Sequence, residues 1–389
     1  MSYFPGYDIH NKLPYAEHFN LSMQRELSKS TVLTLAYVGT EGHRLISQQE
    51  VNPGDAALCM SLAAQGAGCG PNGEQNTYTV GAQTIYGTRD KLLNPNVCAS
   101  PNGPTLCYGY GNTLTTLSAN SVYHAGEVTV ERRAGDLTLL AAYTLAKGLD
   151  NSSGFNDLIN FTNPRLSRGL SSTDVHHNFV VSYIWALPFD KAFRGLPRRL
   201  TQGWQLQGIT RLSTGFPIQM NQGNPVSGPL CAQSDPTTGD PLCVGDASMV
   251  GSPSTDMPNL VGPVHKYNPR STPGTYTYFS QSAFTATACA LTYPVGQPNG
   301  VLTGTDCGSF GTANRRFFHG PGFNNTDLGI QKVIPITEAK SFEIRGEFFN
   351  IFNHAQFNNP SGDISSDTFG NVTSARPMRI GQLSAKFIW

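Results

Sequence analysis

Eight cysteines are the residues best equipped for chemistry in this chain of 389 residues. They fall in two groups, Cys59, Cys69, Cys98 and Cys107, then Cys231, Cys243, Cys289 and Cys307. Thiols grouped in this way either hold a metal or close disulfides. A structural zinc site uses closely spaced cysteine pairs or histidines at ligand spacing, and neither accompanies these cysteines. Zinc is therefore the rival reading and disulfides the favoured one. Pairing in sequence order (Cys59–Cys69, Cys98–Cys107, Cys231–Cys243, Cys289–Cys307) closes small loops and is the simplest of many connectivities. Such bridges persist in oxidising compartments.

The remaining candidates are thinner. His176 and His177 are adjacent, and on a strand they project to opposite faces, so they cannot chelate together from it. Glu343, Arg345 and Glu347 share one face of a strand pattern, which suggests an ion-pair ladder rather than a general acid and base. The Gly-rich stretches "GQPNGVLTGTDCGSFG" and "GPGFNN" lack the strand–loop–helix setting a phosphate cradle needs. Tyr78, Tyr86, Tyr108, Tyr110, Tyr267, Tyr276 and Tyr278 lie in connecting segments. There they serve either to stack against a ligand or to pack the loops. No enzyme, cofactor or metal centre is expected.

The elements that must position these residues are strands. Charged residues make up 13% of the chain, about half of the roughly 25% usual in soluble domains. There are 41 glycines and 26 prolines, and the net charge is zero, which predicts no long-range attraction to nucleic acid. No apolar run reaches the roughly 18 residues a membrane-spanning helix needs.

Nine segments of 8 to 14 residues alternate with period two. They are "HFNLSMQREL", "TVLTLAYV", "YHAGEVTVERR", "LTLLAAYTLAK", "VHHNFVVSYIWALP", "WQLQGITRLSTG", "NNTDLGIQKVI", "SFEIRGEFFN" and "MRIGQLSAKFIW". Globular strands average about five or six residues, whereas a strand tilted across a bilayer takes about nine to eleven. The connections alternate as well. "SKS", "AGD", "FDKAFRGLPRRLTQG" and "PITEA" are short; the segments at about 39–120, 148–173, 216–322 and 351–377 are long. Short turns at one end and long loops at the other are the pattern of an outer-membrane β-barrel. The expected fold is all-β, an antiparallel barrel portion of nine to ten long strands with short periplasmic turns and long extracellular loops. The basic exceptions on the apolar faces, Arg25, Arg132, Lys147, Lys332 and Arg379, fall near strand ends. There a charge facing lipid costs only about 0–1 kcal/mol.

With the barrel pattern in place, several blocks resemble TonB-dependent outer-membrane receptors of the Oar-like group. They are "LPYAEHFNLSMQREL", "LTLAYVGTEGHRL", "YHAGEVTVERRAGDLTLLAAYTLAKGLDN", "RGLSSTDVHHNFVVSYIWALPF", "GWQLQGITRLSTGFPI", "GPGFNNTDLGIQK" and "IRGEFFNIFNHAQFNNP", in family order. The resemblance implies a larger barrel, a plug domain and energised nutrient uptake through TonB. It also implies a C-terminal strand read by the barrel-assembly machinery, here carried by Leu383, Ala385, Phe387 and Trp389. The whole chain, 1–389, is expected to be the C-terminal part of such a barrel, without plug or N-terminal domain. "MSYFPGYDIHNKLPY" shows no signal peptide, so the natural beginning is expected upstream. Two alternatives stand beside uptake: an adhesive or surface-structural barrel without transport, and a soluble secreted β protein.

Overall fold

In the computed structural model the described residues are 6–50, 77–80, 83–86, 113–155, 157, 164–222, 257–287, 290–292, 301–303 and 311–389. Nine long strands form one antiparallel meander. They are β1 (Tyr15–Ser28), β2 (Thr31–Glu50), β3 (Thr113–Ala134), β4 (Leu137–Asp150), β5 (His177–Ala186), β6 (Trp204–Ser213), β7 (Phe323–Pro335), β8 (Ser341–Phe349) and β9 (Ile380–Ile388). Each pairs with its neighbour in sequence, and β1 and β9 are the two ends of the sheet. Within the described residues the sheet is therefore open. The all-β, antiparallel expectation holds for all nine segments.

The register explains why the nine patterns work together. Rows run straight across the sheet: Met23, Leu35, Val128, Tyr143, Phe179 and Leu212 lie side by side. The next apolar row carries Leu33, Val130, Ala141 and Val181. Toward the far edge, Leu206, Ile330, Gly346 and Leu383 share another. All nine apolar faces thus merge into a single face. The opposite face carries Glu127, Gln207, Arg211, Arg345, Glu347 and Gln382. A one-residue slip in any ladder would interrupt both faces.

That apolar face has little protein over it. Leu21 is 75% exposed, Leu383 84% and Trp389 83%. Every residue of β1 and of β9 is exposed. An apolar surface of this extent is stable only against lipid or another protein. The buried core lies instead in the long connections. Ile218, Met220, Phe279, Phe284, Phe318, Phe369 and Val372 gather there, drawn from the β6–β7 and β8–β9 segments. Phe279 is fully buried and meets Phe284, Phe318 and Phe369 edge-on, at centroid distances of 5.8, 5.3 and 5.2 Å.

Two strand bounds depart widely from the sequence expectation, and β4 runs a little past it, to Asp150. β2 runs on to Glu50 and β3 begins at Thr113, inside the segment expected as loop 39–120. Beyond the apolar band this hairpin is mostly polar, with Leu45 and Ile46 adjacent instead of alternating, so no period of two marked it. Backbone pairing carries it, with register shifts between Gly42 and Ser47, and Ser47 Oγ ties it further to the hydroxyls of Thr116 and Ser118 at 2.9 and 3.0 Å. At the short-turn end, the β5–β6 connection folds over Lys332. Its ammonium donates to the Leu200 carbonyl at 3.2 Å and to that of Gln202, and sits 5.2 Å from the Trp204 ring centroid. A cation on the apolar face is thus satisfied by carbonyls instead of facing lipid bare. Gly203 permits this fold-over: its φ is +75°, and a Cβ there would strike the Val333 carbonyl.

Candidate functional site

The long connections converge at one end of the sheet, and their packing decides which residues can meet a ligand. The end of β4 supplies Asp150 and the β4–β5 segment Ser153, Asp157 and Asp174; the β6–β7 segment supplies Arg315, Arg316 and His319. Arg316 is buried and fully engaged. Its Nη2 lies 3.1 Å from both Asp150 Oδ1 and Asp157 Oδ2, and 2.7 Å from Ser153 Oγ. Its Nη1 donates to Gln219 Oε1 and its Nε to the Leu170 carbonyl, each at 2.7 Å. Arg315 pairs with Asp157 at 2.9 Å, and burial holds its guanidinium below the usual arginine range.

Two buried arginines with two carboxylates form a charge-balanced staple between connections. Such a cluster costs desolvation but fixes one arrangement, because removing any partner leaves a buried charge unpaired. A second staple joins Asp174 to His319 Nε2 at 2.7 Å and accepts from the Gly148 backbone N–H at 2.5 Å. Neither was visible in the sequence. The only signal was "NRRFF", two adjacent cations beside two aromatics, and it does not name the carboxylates that answer them.

The sequence-predicted candidates sort differently. His176 and His177 do not point apart: their rings meet edge-on at 4.5 Å. His176 precedes the first residue of β5, so strand alternation does not govern it. Its Nδ1 donates to the Ala146 carbonyl at 2.7 Å, and His177 Nδ1 lies 2.8 Å from Tyr143 Oη. Among the described residues no group of His, Cys, Asp or Glu is placed to hold a metal ion. On the polar face, Arg345 pairs with Glu347 at 2.9 Å, Gln382 donates to Glu347, and Glu343 stands opposite Lys386 in the register. The expected ladder is present there. Tyr278 is a packing residue: it is buried, its Oη donates to the His319 carbonyl at 3.0 Å, and burial pushes its phenol up to about 12. Tyr267 and Tyr276 remain exposed. All eight candidate disulfide cysteines, with Tyr108 and Tyr110, lie outside the described residues.

The C-terminal residues Leu383, Ala385, Phe387 and Trp389 follow the apolar parity. Leu383, Ala385 and Phe387 stand opposite Gly346, Ile344 and Phe342, and the Phe387 and Trp389 rings stack at 6.0 Å. Among the described residues, cavities open on the polar face, and two of them matter for binding. One, of about 380 Å³, lies over Gln207, Asp327, Arg345 and Glu347; Arg345 and Glu347 pair with each other, and Asp327 accepts from the Asn350 backbone N–H. The other, of about 300 Å³, lies at the long-loop end beside Arg211, Phe323 and Arg376.

An antiparallel sheet with one lipid-ready face agrees with the family comparison. The model of the outer membrane beta barrel domain family matches residues 2–382. The chain belongs to that family. This outer-membrane barrel domain therefore resides in the bacterial outer membrane. Solved structures with a similar course include the outer membrane transporter YddB from Escherichia coli, at 7% identity and a TM-score of 0.42, covering 97% of this chain and 33% of that one. The FrpB iron transporter from Neisseria meningitidis (8%, TM-score 0.35) is covered over 33% of its length by 98% of this chain. The ferripyoverdine receptor of the outer membrane of Pseudomonas aeruginosa, bound to ferripyoverdine, shows 10% identity and a TM-score of 0.35; 96% of this chain covers 27% of it. The barrel domain thus spans a third or less of the length of these proteins. No curated protein matches it.

Proposed function

We propose that this barrel domain is the C-terminal part of a TonB-dependent receptor of the Oar-like group, serving energised uptake of a nutrient and not catalysis. The observation that carries the reading is the open sheet itself. Nine strands merge into one lipid-facing surface, yet β1 and β9 each keep an edge without a partner among the described residues. Unpaired backbone groups cannot stand in hydrocarbon, so a spanning sheet must close. The closing strands then come from the rest of a larger barrel. On this reading the short-turn end is periplasmic and the long connections are extracellular, where the cysteines of 39–120 and 216–322 meet an oxidising environment. Outer-membrane lipid, the barrel-assembly machinery, TonB and a nutrient are the partners; nucleic acid is not.

The test is the natural full-length product. Its reading frame should encode a plug and a TonB box, and the purified protein should crosslink to the periplasmic domain of TonB. A full-length product with neither segment and no crosslink sinks the uptake reading in favour of an adhesive barrel.

A further inference from the structure

The carboxylates of this chain are spent unevenly. Asp150 and Asp157 answer Arg315 and Arg316, Asp174 answers His319, Glu131 answers Arg133, and Glu347 answers Arg345. Among the exposed arginines at the long-loop end that have no carboxylate within ion-pair distance in the described residues, Arg211, Arg270 and Arg376 gather around two phenylalanine rings. The guanidinium carbon of Arg211 is 5.6 Å from the Phe323 ring centroid and that of Arg376 is 4.9 Å from it. Arg270 lies 5.8 Å from the neighbouring Phe357 ring. Arg211 belongs to β6 and Arg376 to the β8–β9 connection, so two separate segments bring cations to one ring, while Arg270 of the β6–β7 connection lines the adjoining cavity.

Stacking uses the flat face of a guanidinium and leaves its edge donors available. Arg211 commits only its Nε, to Asn178 Oδ1 at 3.0 Å. The cavity of about 300 Å³ beside Arg211 and Arg376 is lined further by Phe216, Phe357 and the amides of Asn358 and Asn359. Two like charges beside one ring repel, and a protein that pairs its buried arginines so fully leaves these open toward the polar side of the sheet. The missing counter-charge must come from solution.

We propose that this cavity binds an organic polyanion, bearing two or more carboxylate or phosphate groups on a compact apolar or flat frame. Arg211 and Arg376 grip the anionic groups, while Phe323 and Phe357 supply the apolar floor. The proposal rests on the receptor reading for its purpose, since it names the class of nutrient captured at the mouth; the binding event itself is measured separately.

The natural-length protein, purified in detergent at low ionic strength, is titrated calorimetrically with pyrophosphate and with citrate. Saturable binding of either probe is expected. A charge-assisted contact contributes about 1.5–3 kcal/mol, so Arg211→Gln or Arg376→Gln each weaken binding roughly 10-fold or more. Arg133→Gln, at the short-turn end, leaves it unchanged. Heat-modifiable gel migration verifies folding; should Arg211→Gln fold poorly, Arg376→Gln, in a connection, carries the test. Preference for one probe tells phosphate-bearing from carboxylate-bearing ligands and supports the proposal either way. No binding of either probe at millimolar concentration, or equal affinity in both variants, overturns it. Loss of TonB crosslinking with anion binding intact would fault the uptake reading alone.

Discussion

Ala141 and Ala142 are neighbours on β4 that face opposite ways, and they test the two-faced sheet with the smallest possible change in chemistry. Ala141 stands between Val130 and Val181 on the apolar face; Ala142 stands between Thr129 and Val180 on the polar face. Val181 is the fifth of the ten residues of β5. At a rise of about 3.4 Å and a tilt of about 45°, ten residues span roughly 24 Å. That matches an apolar band of about 25 Å, so Ala141 sits at mid-height. Arginine facing lipid there costs about 2–4 kcal/mol. Ala142→Arg instead points into water, with Glu127 and Glu131 on the same face of the adjoining strand. The two variants should therefore differ roughly 30- to 700-fold in their unfolding equilibrium. Urea titration of the natural-length protein refolded into lipid vesicles, followed by heat-modifiable gel migration, measures the difference. Equal losses, or a larger loss for Ala142→Arg, would refute the assignment of faces.

The loop core and the staples give further expectations. Phe279→Ala should cost about 3–5 kcal/mol, as for other buried aromatics. The cost should appear as faster hydrogen exchange around Met220, Phe284 and Phe369, with the strand amides unchanged. Arg316→Leu strips Asp150 and Asp157 of a shared partner at a cost of about 3–5 kcal/mol; limited proteolysis should then cut the β4–β5 connection first. Tyr278 titrates near 10 when unfolded and about 12 when buried, so folding favours its neutral phenol. Its stabilising share is full below pH 10 and is lost as pH rises from 10 toward 12. Hydrogen exchange in the loop core should rise through that window, and Tyr278→Phe should flatten the rise.

How much of this was legible in the sequence depends on whether a pattern had a period. Alternation is local, and it placed all nine strands, because in a membrane sheet each strand must show lipid its own apolar face without help from distant residues. The polar extension of β2 from Gly39 to Glu50 escaped notice for the converse reason: in water it needs no such face. His176 was misjudged because alternation was carried one residue past the start of β5. Nothing periodic announced Asp150, Asp157 and Arg316, whose partners are more than 150 residues apart in sequence. Arg211 was visible as a polar-face residue, but its company with Arg376 over Phe323 depends on how the β8–β9 connection folds back.

These differences follow from where the chain keeps its buried residues. In a soluble sheet, strands and loops share one core, and loss of either exposes both. Here the apolar face of the sheet is stabilised by lipid, while the Phe279 cluster is stabilised by exclusion of water from the connections alone. The two share little beyond the strand ends, where Asp150 closes β4 and Phe323 opens β7. Those junctions carry the Arg316 staple on one side and the Arg211–Phe323–Arg376 cluster on the other. The first is internally neutral and holds the connections to the sheet. The second keeps its charge, and since rigid strand residues supply Arg211 and Phe323, whatever anion settles there is held at a fixed position over the polar face.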